Sequence, residues 1–87
     1  MSYYVYILQS FKDKNFYTGY TNDLERRLVQ HNQSKSFPMQ FRKPFKLIYY
    51  EMCLSKDDAV AREKYLKSGM GKRFIKNRLK NYMSNNF

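Results

Sequence analysis

Residues 3–31 constrain the fold of this chain more than any other part of the sequence. Residues 3–9 are mainly β-branched and aromatic and predict a β-strand, while residues 10–15 have the polar composition of a tight turn. Residues 15–20 predict a second strand, so the two strands should form an antiparallel hairpin. We therefore expect the chain to build its sheet around this first hairpin.

The first strand is predicted to be the central strand of that sheet. Successive side chains of a strand point to opposite faces. The two sets are Tyr4, Tyr6 and Leu8 on one face, and Tyr3, Val5 and Ile7 on the other. Both sets are apolar or aromatic, so both faces need cover from other elements.

A capped helix is predicted directly after the hairpin. Asn22 and Glu25 have the spacing of a capping box, with Asn22 as the N-cap. The helix should continue to Asn32 or Gln33. It therefore starts within a few residues of the end of the second strand.

One face of this helix carries polar residues. Asp23, Arg27 and His31 follow one another at intervals of four residues and line that face. The face begins close to Gly19, where the missing side chain allows a neighbouring group to approach the backbone. We therefore expect Arg27 and His31 to lie beside the tyrosines of the hairpin.

The middle of the chain predicts a loop, a third strand and a second helix. Two prolines and the lack of a clean period indicate a loop at residues 33–44. The apolar run at residues 45–54 predicts a strand that is buried on both faces. Ser55 is the predicted N-cap of a helix that ends near Lys67.

The last part of the chain completes the predicted fold. We expect a third helix at residues 72–82, after Gly69 ends the preceding helix and Gly71 resets the chain, and a frayed tail at residues 83–87. The order β-β-α-β-α-α predicts an α+β fold with a three-stranded, mainly antiparallel sheet flanked by helices. With 87 residues, 43% of them hydrophobic, residues 1–87 should form a single domain.

Net charge is the compositional feature that most limits the class of binding partner. The chain has 17 Lys and Arg residues against 7 Asp and Glu residues, a net charge of +10. A small basic domain attracts polyanions, of which nucleic acid is the commonest, although ribosomal association would need the same charge. No apolar run is long enough to cross a bilayer and no secretory signal is expected. A single cysteine, Cys53, fits a cytoplasmic location.

Two basic segments are candidate nucleic-acid-binding regions. The candidates are Lys35, Arg42 and Lys43 in the predicted loop, and Lys72, Arg73 and Lys76 on the last helix. Each segment can also be explained as solvated surface, with the loop held in place by its aromatic residues. The sequence leaves both interpretations open.

One carboxylate stands where the second helix should present an apolar residue. Glu63 falls between Ala59 and Leu66 on the stripe expected to face the core. A carboxylate there is unfavourable unless it is paired or binds a cation. An ion pair with Arg62 or Lys67 would satisfy Glu63, and so would a hard divalent cation, which binds through oxygen.

The residues gathered by the first hairpin and helix suit the hydrolysis of a phosphodiester bond. This reaction needs an activated water, neutralised charge on the phosphoryl oxygens and help for the leaving oxygen. Arg27 presents a planar fork that matches phosphate, and His31, the only histidine, can transfer a proton near neutral pH. Tyrosine, with a pKa of about 10, is a poor base unless a neighbouring cation stabilises the phenolate.

Taken in order, these residues resemble the motifs of the GIY-YIG nuclease family, in particular its small stand-alone single-domain members. The first motif matches Tyr4-Val5-Tyr6 and the second matches Tyr17-Thr18-Gly19. The arginine of the following helix matches Arg27, the histidine or tyrosine one turn later matches His31, and the metal-binding glutamate matches Glu63. The resemblance extends from residue 3 to about residue 82 and is carried by the order and spacing of short motifs.

The sequence departs from these motifs at three positions. Tyr4 stands where the first motif has its glycine, Val5 replaces the isoleucine of that motif, and Thr18 replaces the isoleucine of the second. The tyrosines and the closing glycine, which carry the function in the family, are retained.

The resemblance implies a metal-dependent endonuclease with one Mg²⁺ or Mn²⁺ ion bound by Glu63. It implies that Tyr6 and Tyr17 deprotonate and orient the attacking water, with Arg27 on the phosphate, and leaves open which tyrosine is the base. It also implies an asparagine from the last helix near the site, for which Asn77 is the best match. The alternative for the two tyrosines is an ordinary core hairpin.

The predicted function is metal-dependent hydrolysis of phosphodiester bonds in DNA, in repair or recombination, with DNA favoured over RNA. We expect no second, target-selecting domain in a chain of 87 residues. It should therefore act on DNA shape or rely on a protein partner, as a monomer or weak dimer. The alternatives are a non-catalytic basic nucleic-acid-binding domain and a ribosome- or RNA-associated protein on the same scaffold.

Overall fold

The computed structural model describes residues 1–33 and 41–86, which form an α+β fold. The elements are β1 (Tyr3–Ser10), β2 (Phe16–Thr21), α1 (Leu24–Asn32), β3 (Phe45–Cys53), α2 (Lys56–Lys67), α3 (Gly69–Arg78) and α4 (Lys80–Asn86). The strands form one antiparallel sheet in the order β2-β1-β3. The predicted fold class and the order β-β-α-β-α-α are confirmed, with the last predicted helix divided into α3 and α4. Within the described residues, no helix combines the length and apolar character needed to cross a membrane.

β1 is the central strand, as its sequence predicts, and an apolar core lies on each side of it. On one face the core consists of Val5, Ile7, Ala59, Leu66 and Ile75, with α2 and α3 as the cover. On the other face it consists of Tyr6, Leu8 and Phe45, with Leu24 and Leu28 of α1 packed against them. Alternate side chains of one strand are therefore buried under different helices.

The prediction that residues 45–54 are buried on both faces is wrong. β3 is an edge strand, and its Tyr50 and Met52 are 53% and 55% exposed. The end of α1 is fixed at the start of β3, where Asn32 accepts a hydrogen bond from the Phe45 N–H (2.6 Å) and donates one to the Phe45 carbonyl (3.1 Å). An apolar run indicates a strand, but it does not determine how far a helix extends over that strand.

The predicted N-cap of α1 is off by one residue. Asp23, not Asn22, occupies the N-cap position, and its Oδ1 accepts a hydrogen bond from the Arg26 N–H at 3.1 Å. Both residue types are good N-caps, so the sequence alone does not choose between them. Ser55 is the N-cap of α2 as predicted, but its side chain makes no capping hydrogen bond.

The third helix begins earlier than predicted. It starts at Gly69 because the Ser68 hydroxyl caps it, accepting a hydrogen bond from the Gly71 N–H at 3.2 Å. Neither glycine has a positive φ, so the prediction that Gly71 resets the chain is wrong. Gly71 instead lies buried inside α3, in close contact with the backbone of Tyr65 and Leu66 in α2.

The helical C-terminal part is interrupted once, at Leu79, where the backbone has φ −105° and ψ 19°. Residues 83–86, which we expected to be frayed, continue as part of α4. The Tyr82 hydroxyl donates a 2.5 Å hydrogen bond to Oε1 of Gln9, a buried side chain of β1. This contact anchors α4 to the sheet.

The contact at Gly71 gives a stability prediction with an internal control. A Cβ atom at position 71 would collide with the Tyr65 carbonyl and Leu66 Cα, whereas one at Gly69 would meet nothing within 4 Å. We expect Gly71→Ala to lower the free energy of unfolding by about 1–3 kcal/mol, the usual cost of overpacking. Gly69→Ala should raise it by about 0.4–1 kcal/mol by restricting the unfolded chain.

Urea denaturation of the two variants beside the wild type measures both changes. Equal midpoints for Gly71→Ala and the wild type would contradict the close packing of α2 against α3.

Candidate active site

The first hairpin brings two tyrosines together over a glycine. Tyr6 of β1 lies opposite Gly19 of β2, and the rings of Tyr6 and Tyr17 stack with centroids 6.4 Å apart. A Cβ atom at position 19 would lie 2.5 Å from the Tyr6 Oη. The ring of Tyr6 therefore occupies the space that a side chain at Gly19 would need, which is the close approach predicted for that position.

His31 joins the two tyrosines from the last turn of α1. Its Nε2 lies 3.0 Å from the Tyr6 Oη, and its ring centroid lies 4.7 Å from that of Tyr17. The side chain is buried and also contacts the ring of Phe45 at 5.8 Å. Either atom of the hydrogen bond can donate, according to which ring nitrogen of His31 carries the proton.

Burial sets the protonation of this pair. It raises the pKa of Tyr6 well above the usual tyrosine range, the neighbouring Tyr17 raises it further, and Arg27 partly offsets the rise. Burial, followed by the charge of Arg27, lowers the pKa of His31 below 6.5. At neutral pH both groups are therefore uncharged, and the hydrogen bond joins a phenol to a neutral imidazole.

A cleft of about 470 Å³ brings together five of the predicted site residues. Tyr6, Tyr17, Gly19, Arg27 and Glu63 all line it. Because the lining includes residues of β1, β2, α1 and α2, the cleft lies at the free β2 edge of the sheet, where helices from both faces meet. His31 does not line the cleft, but it is hydrogen-bonded to Tyr6, which does.

Glu63 forms one of the two ion pairs expected from the sequence and also lines the cleft. Its Oε1 lies 3.4 Å from the Lys67 Nζ, so the expected ion pair forms with Lys67, and its side chain is 17% exposed and lines the cleft. Arg62, the other expected partner, instead binds Glu51 through two hydrogen bonds of 2.9 and 3.0 Å. Glu63 is therefore held in position without being withdrawn from the cleft.

The cleft could bind one hard divalent cation if a substrate phosphate supplied some of the oxygen ligands. Glu63 is the only carboxylate among the described residues that line the cleft, and no group of three or more His, Cys, Asp or Glu side chains is found in the described part of the chain. Mg²⁺ commonly binds through one or two carboxylates, several waters and the phosphate oxygens of a substrate. Glu63 and a bound phosphate together meet that requirement.

Sequence reasoning missed Lys56, which lines the same cleft as Arg27 and Glu63. Lys56 is the first residue of α2 and precedes Glu63 by seven residues, or about two helical turns, which puts both on one face. The seven-residue spacing can be read from the sequence, but it identifies Lys56 as a site residue only after Glu63 has been placed in the cleft. The cleft thus has a cation from each of two helices.

The remaining predicted site residues lie elsewhere. Asn77 is exposed on α3 and is not among the residues that line the cleft. Arg42 is paired with Asp13, with 3.1 Å between Nε and Oδ2, and Lys43 is half-buried beside it. Lys35 and most of the predicted contact loop lie outside the described residues. The three basic residues predicted on the last helix, Lys72, Arg73 and Lys76, are exposed on α3.

Comparison with known protein families shows the family to which the chain belongs. The family model described as the GIY-YIG catalytic domain matches residues 2–80 of the chain. The chain therefore belongs to the GIY-YIG family, whose members are nucleases in general.

Within that class the chain is similar to the UPF0213 proteins of several bacteria. It is 37% identical over 67 residues to a UPF0213 protein of Staphylococcus saprophyticus, covering 76% of this chain and 80% of that one. It is 45% identical over 65 residues to one of Clostridium perfringens, covering 74% and 69%. The solution NMR structure of a UPF0213 protein from Bacillus halodurans, 34% identical, matches with a TM-score of 0.54 over 86% of this chain and 82% of that one.

The lowered pKa of His31 predicts a low midpoint for its titration by NMR. As the only histidine it gives one imidazole signal in NMR, and we expect its midpoint below 6.5. Arg27→Ala should raise the midpoint, because Arg27 contributes to the shift, and Arg26→Ala on the neighbouring position should change it less. A midpoint at or above 6.5 in the wild type would contradict the buried, neutral imidazole.

The same shift links stability to pH. The unfolded chain binds a proton at His31 more readily than the native protein does, so the unfolding free energy should fall as the pH drops from 6.5 through the lower native pKa.

Proposed function

We propose that this protein is a metal-dependent endonuclease that hydrolyses phosphodiester bonds in DNA. The observation that carries the proposal is the single cleft shared by Tyr6, Tyr17, Arg27 and Glu63, with His31 hydrogen-bonded to Tyr6 behind it. A binding surface alone would need cations but no carboxylate among them. Membership of a family of nucleases supports the same function.

Arg27 and Lys56 bind the scissile phosphate in this proposal. They approach the cleft from α1 and α2 and can contact different oxygens of one phosphate group. The planar guanidinium of Arg27 fixes the orientation of the phosphate, and Lys56 adds a point charge. A Mg²⁺ or Mn²⁺ ion held by Glu63 would supply further charge neutralisation on the phosphoryl and leaving oxygens.

In this proposal the hydrogen bond to His31 allows Tyr6 to act as a base despite its high pKa. A free Tyr6 phenolate is strongly disfavoured by burial. If the phenol donates to His31, however, Tyr6 can take the proton of the attacking water while its own proton passes to the His31 Nε2 across the 3.0 Å hydrogen bond. The charge then appears on His31, whose imidazole is neutral at pH 7 and free to accept it.

Tyr17 orients the attacking water. Its ring stacks against Tyr6 and its side chain lines the same cleft, so its hydroxyl can hydrogen-bond a water beside the Tyr6 oxygen. The new bond joins the water oxygen to phosphorus, the bond from phosphorus to the leaving oxygen breaks on the opposite side, and the leaving oxygen takes a proton from solvent water. Tyr6 is thus the base in this proposal, and Tyr17 is a positioning residue.

The net charge of +10 suits a nuclease that reads DNA shape rather than sequence. Contacts between basic side chains and phosphates supply affinity without base-specific information. We therefore propose substrates of the kind that arise in repair or recombination, selected by shape or through a protein partner. The proposed location is the cytoplasm.

Metal-dependent cutting of DNA is the decisive prediction. We expect the wild type to cleave a labelled panel of single-stranded, duplex and branched DNA with Mg²⁺ or Mn²⁺, and to lose cleavage in EDTA. Glu63→Gln keeps the shape but removes the charge, so it should lower the rate at least about 100-fold. The matched control is Glu25→Gln, at an exposed carboxylate of α1, which should cut like the wild type.

An absence of cutting, together with salt-sensitive binding that Glu63→Gln leaves unchanged, would contradict the nuclease. It would support a non-catalytic nucleic-acid-binding domain.

The proton relay predicts how single tyrosines affect the rate. Tyr6→Phe removes the base and should lower the rate about 10²–10⁴-fold with DNA binding retained. Tyr50→Phe, at an exposed tyrosine of β3, should leave the rate unchanged. The wild-type rate should also fall as the pH drops through the His31 pKa, because a protonated imidazole accepts no second proton. Wild-type cutting by Tyr6→Phe would rule out this base.

A further inference from the structure

A second cleft lies beside the candidate active site. Its volume is about 690 Å³. Its apolar floor consists of the half-buried Phe16 and Met83, together with the core residues Ile7, Leu66 and Ile75, which are only 1–3% exposed. Four lysines also line it: Lys14, Lys67, Lys72 and Lys76. No Asp or Glu is among the described residues of the lining. We call this cleft the basic groove.

The chemistry of the basic groove matches a nucleotide. Several cations around an apolar floor favour a ligand that has both anionic and flat apolar parts, and a nucleotide combines a phosphate with a base. Its volume lies in the range of about 300–1,000 Å³ that is usual for ligand-binding clefts. A purely apolar ligand would leave the four lysines unused, and a simple anion would leave the floor unused.

The basic groove adjoins the candidate active site at β2 and α2. Tyr17 lines both clefts, and Lys67 of the groove forms the 3.4 Å ion pair with Glu63 of the active site. A strand whose phosphate reaches Arg27 therefore has its neighbouring nucleotides next to the groove. The lysines then face phosphates of that same strand.

Lys14 lines the groove from the turn between β1 and β2. It is the only non-glycine residue with a positive φ in the described part of the chain, at 65°. A glycine or asparagine would adopt this left-handed backbone at lower cost. This backbone belongs to the turn between β1 and β2, where the Lys14 N–H donates to the Ser10 carbonyl at 3.0 Å, and the Lys14 ammonium lies 5.6 Å from the centroid of the Phe11 ring.

We propose that the basic groove binds unpaired nucleotides that flank the scissile phosphate, with bases against the apolar floor and phosphates against the lysines. The bases of an intact duplex are stacked internally and cannot reach such a floor, whereas those of an unpaired strand can. This proposal rests on the proposed endonuclease function, and it makes the substrate a DNA with a single-stranded segment beside the cut site, such as a branched or tailed duplex.

Binding measured in EDTA tests the groove without any dependence on cleavage. Fluorescence anisotropy compares a blunt duplex, the same duplex with a short single-stranded tail, and that duplex with an abasic tail. We expect the tailed duplex to bind most tightly, and the abasic tail to lose about tenfold in affinity because its phosphates remain but its bases are gone. Equal binding of the normal and abasic tails would overturn the contact between bases and the floor.

Charge-matched double variants locate the binding. Lys72→Ala with Lys76→Ala removes two groove lysines, and Lys64→Ala with Lys80→Ala removes two exposed lysines that do not line it. The groove variant should bind the tailed duplex about tenfold more weakly and reduce the salt-dependence slope by about 0.7 for each lost contact. Equal losses in the two double variants would overturn the proposal, because the effect would then come from net charge alone.

Lys14→Gly separates folding from binding. The substitution relieves the left-handed backbone, so the variant should melt at or above the wild-type temperature. It should still bind the tailed duplex less tightly, with a slope lower by about 0.7. Wild-type affinity in Lys14→Gly would contradict the role of this lysine.

Two further results distinguish the groove from the nuclease. Tail binding that depends on Lys72 and Lys76, in a protein that cuts nothing, would support the groove and contradict the proposed function. Cutting of blunt and tailed duplexes at equal rates, unaffected by the groove variant, would support the nuclease and overturn the groove. Competition by a free mononucleotide as effective as the tailed duplex would identify a nucleotide pocket and overturn strand binding.

Discussion

The hydrogen bond between Tyr6 and His31 joins the central strand to the last turn of α1, and the candidate site depends on it. Both groups are buried, so neither has water as a ready substitute for the other, and losing one partner would leave the second unsatisfied at a cost of about 1–3 kcal/mol. The bond also requires Gly19, because any larger residue would displace the Tyr6 ring. One contact between residues 25 positions apart thus fixes the hairpin, the helix and the tyrosine pair relative to one another.

The parts of the fold that local rules govern could be predicted from the sequence. Strand alternation identified β1 as the central strand, and residue spacing placed Arg27 and His31 on one helix face. The predictions of helix boundaries were wrong where tertiary contacts determine the boundary. Asn22 and Asp23 are both good caps, and only the hydrogen bond to Arg26 distinguishes them. The apolar period continues past Leu79, where the chain nevertheless breaks the helix and brings Tyr82 to Gln9.

The candidate site shows the same division. The motifs identified Tyr6, Tyr17, Arg27 and Glu63, which share a cleft, because the hairpin register and helix spacing bring them to one edge of the sheet. Lys56 was missed, since its place in the cleft depends on how α2 packs against β2, and no local pattern encodes that angle. For Glu63 the sequence left an ion pair and a bound cation as alternatives. The structure shows the ion pair with Lys67 and the exposure to the cleft together.

That ion pair links the two clefts. The Lys67 ammonium lies 3.4 Å from Glu63, while Lys67 also lines the basic groove and its side chain is 54% exposed. An ion pair at such an exposed lysine contributes only about 0–1 kcal/mol, so exchanging its partner costs little. Under the proposed function, a cation bound by Glu63 would release Lys67 to a phosphate in the groove. A cation on Glu63 would leave Lys67 without its ion-pair partner, and a phosphate on Lys67 would leave Glu63 without its partner. Metal binding and strand binding would therefore favour each other.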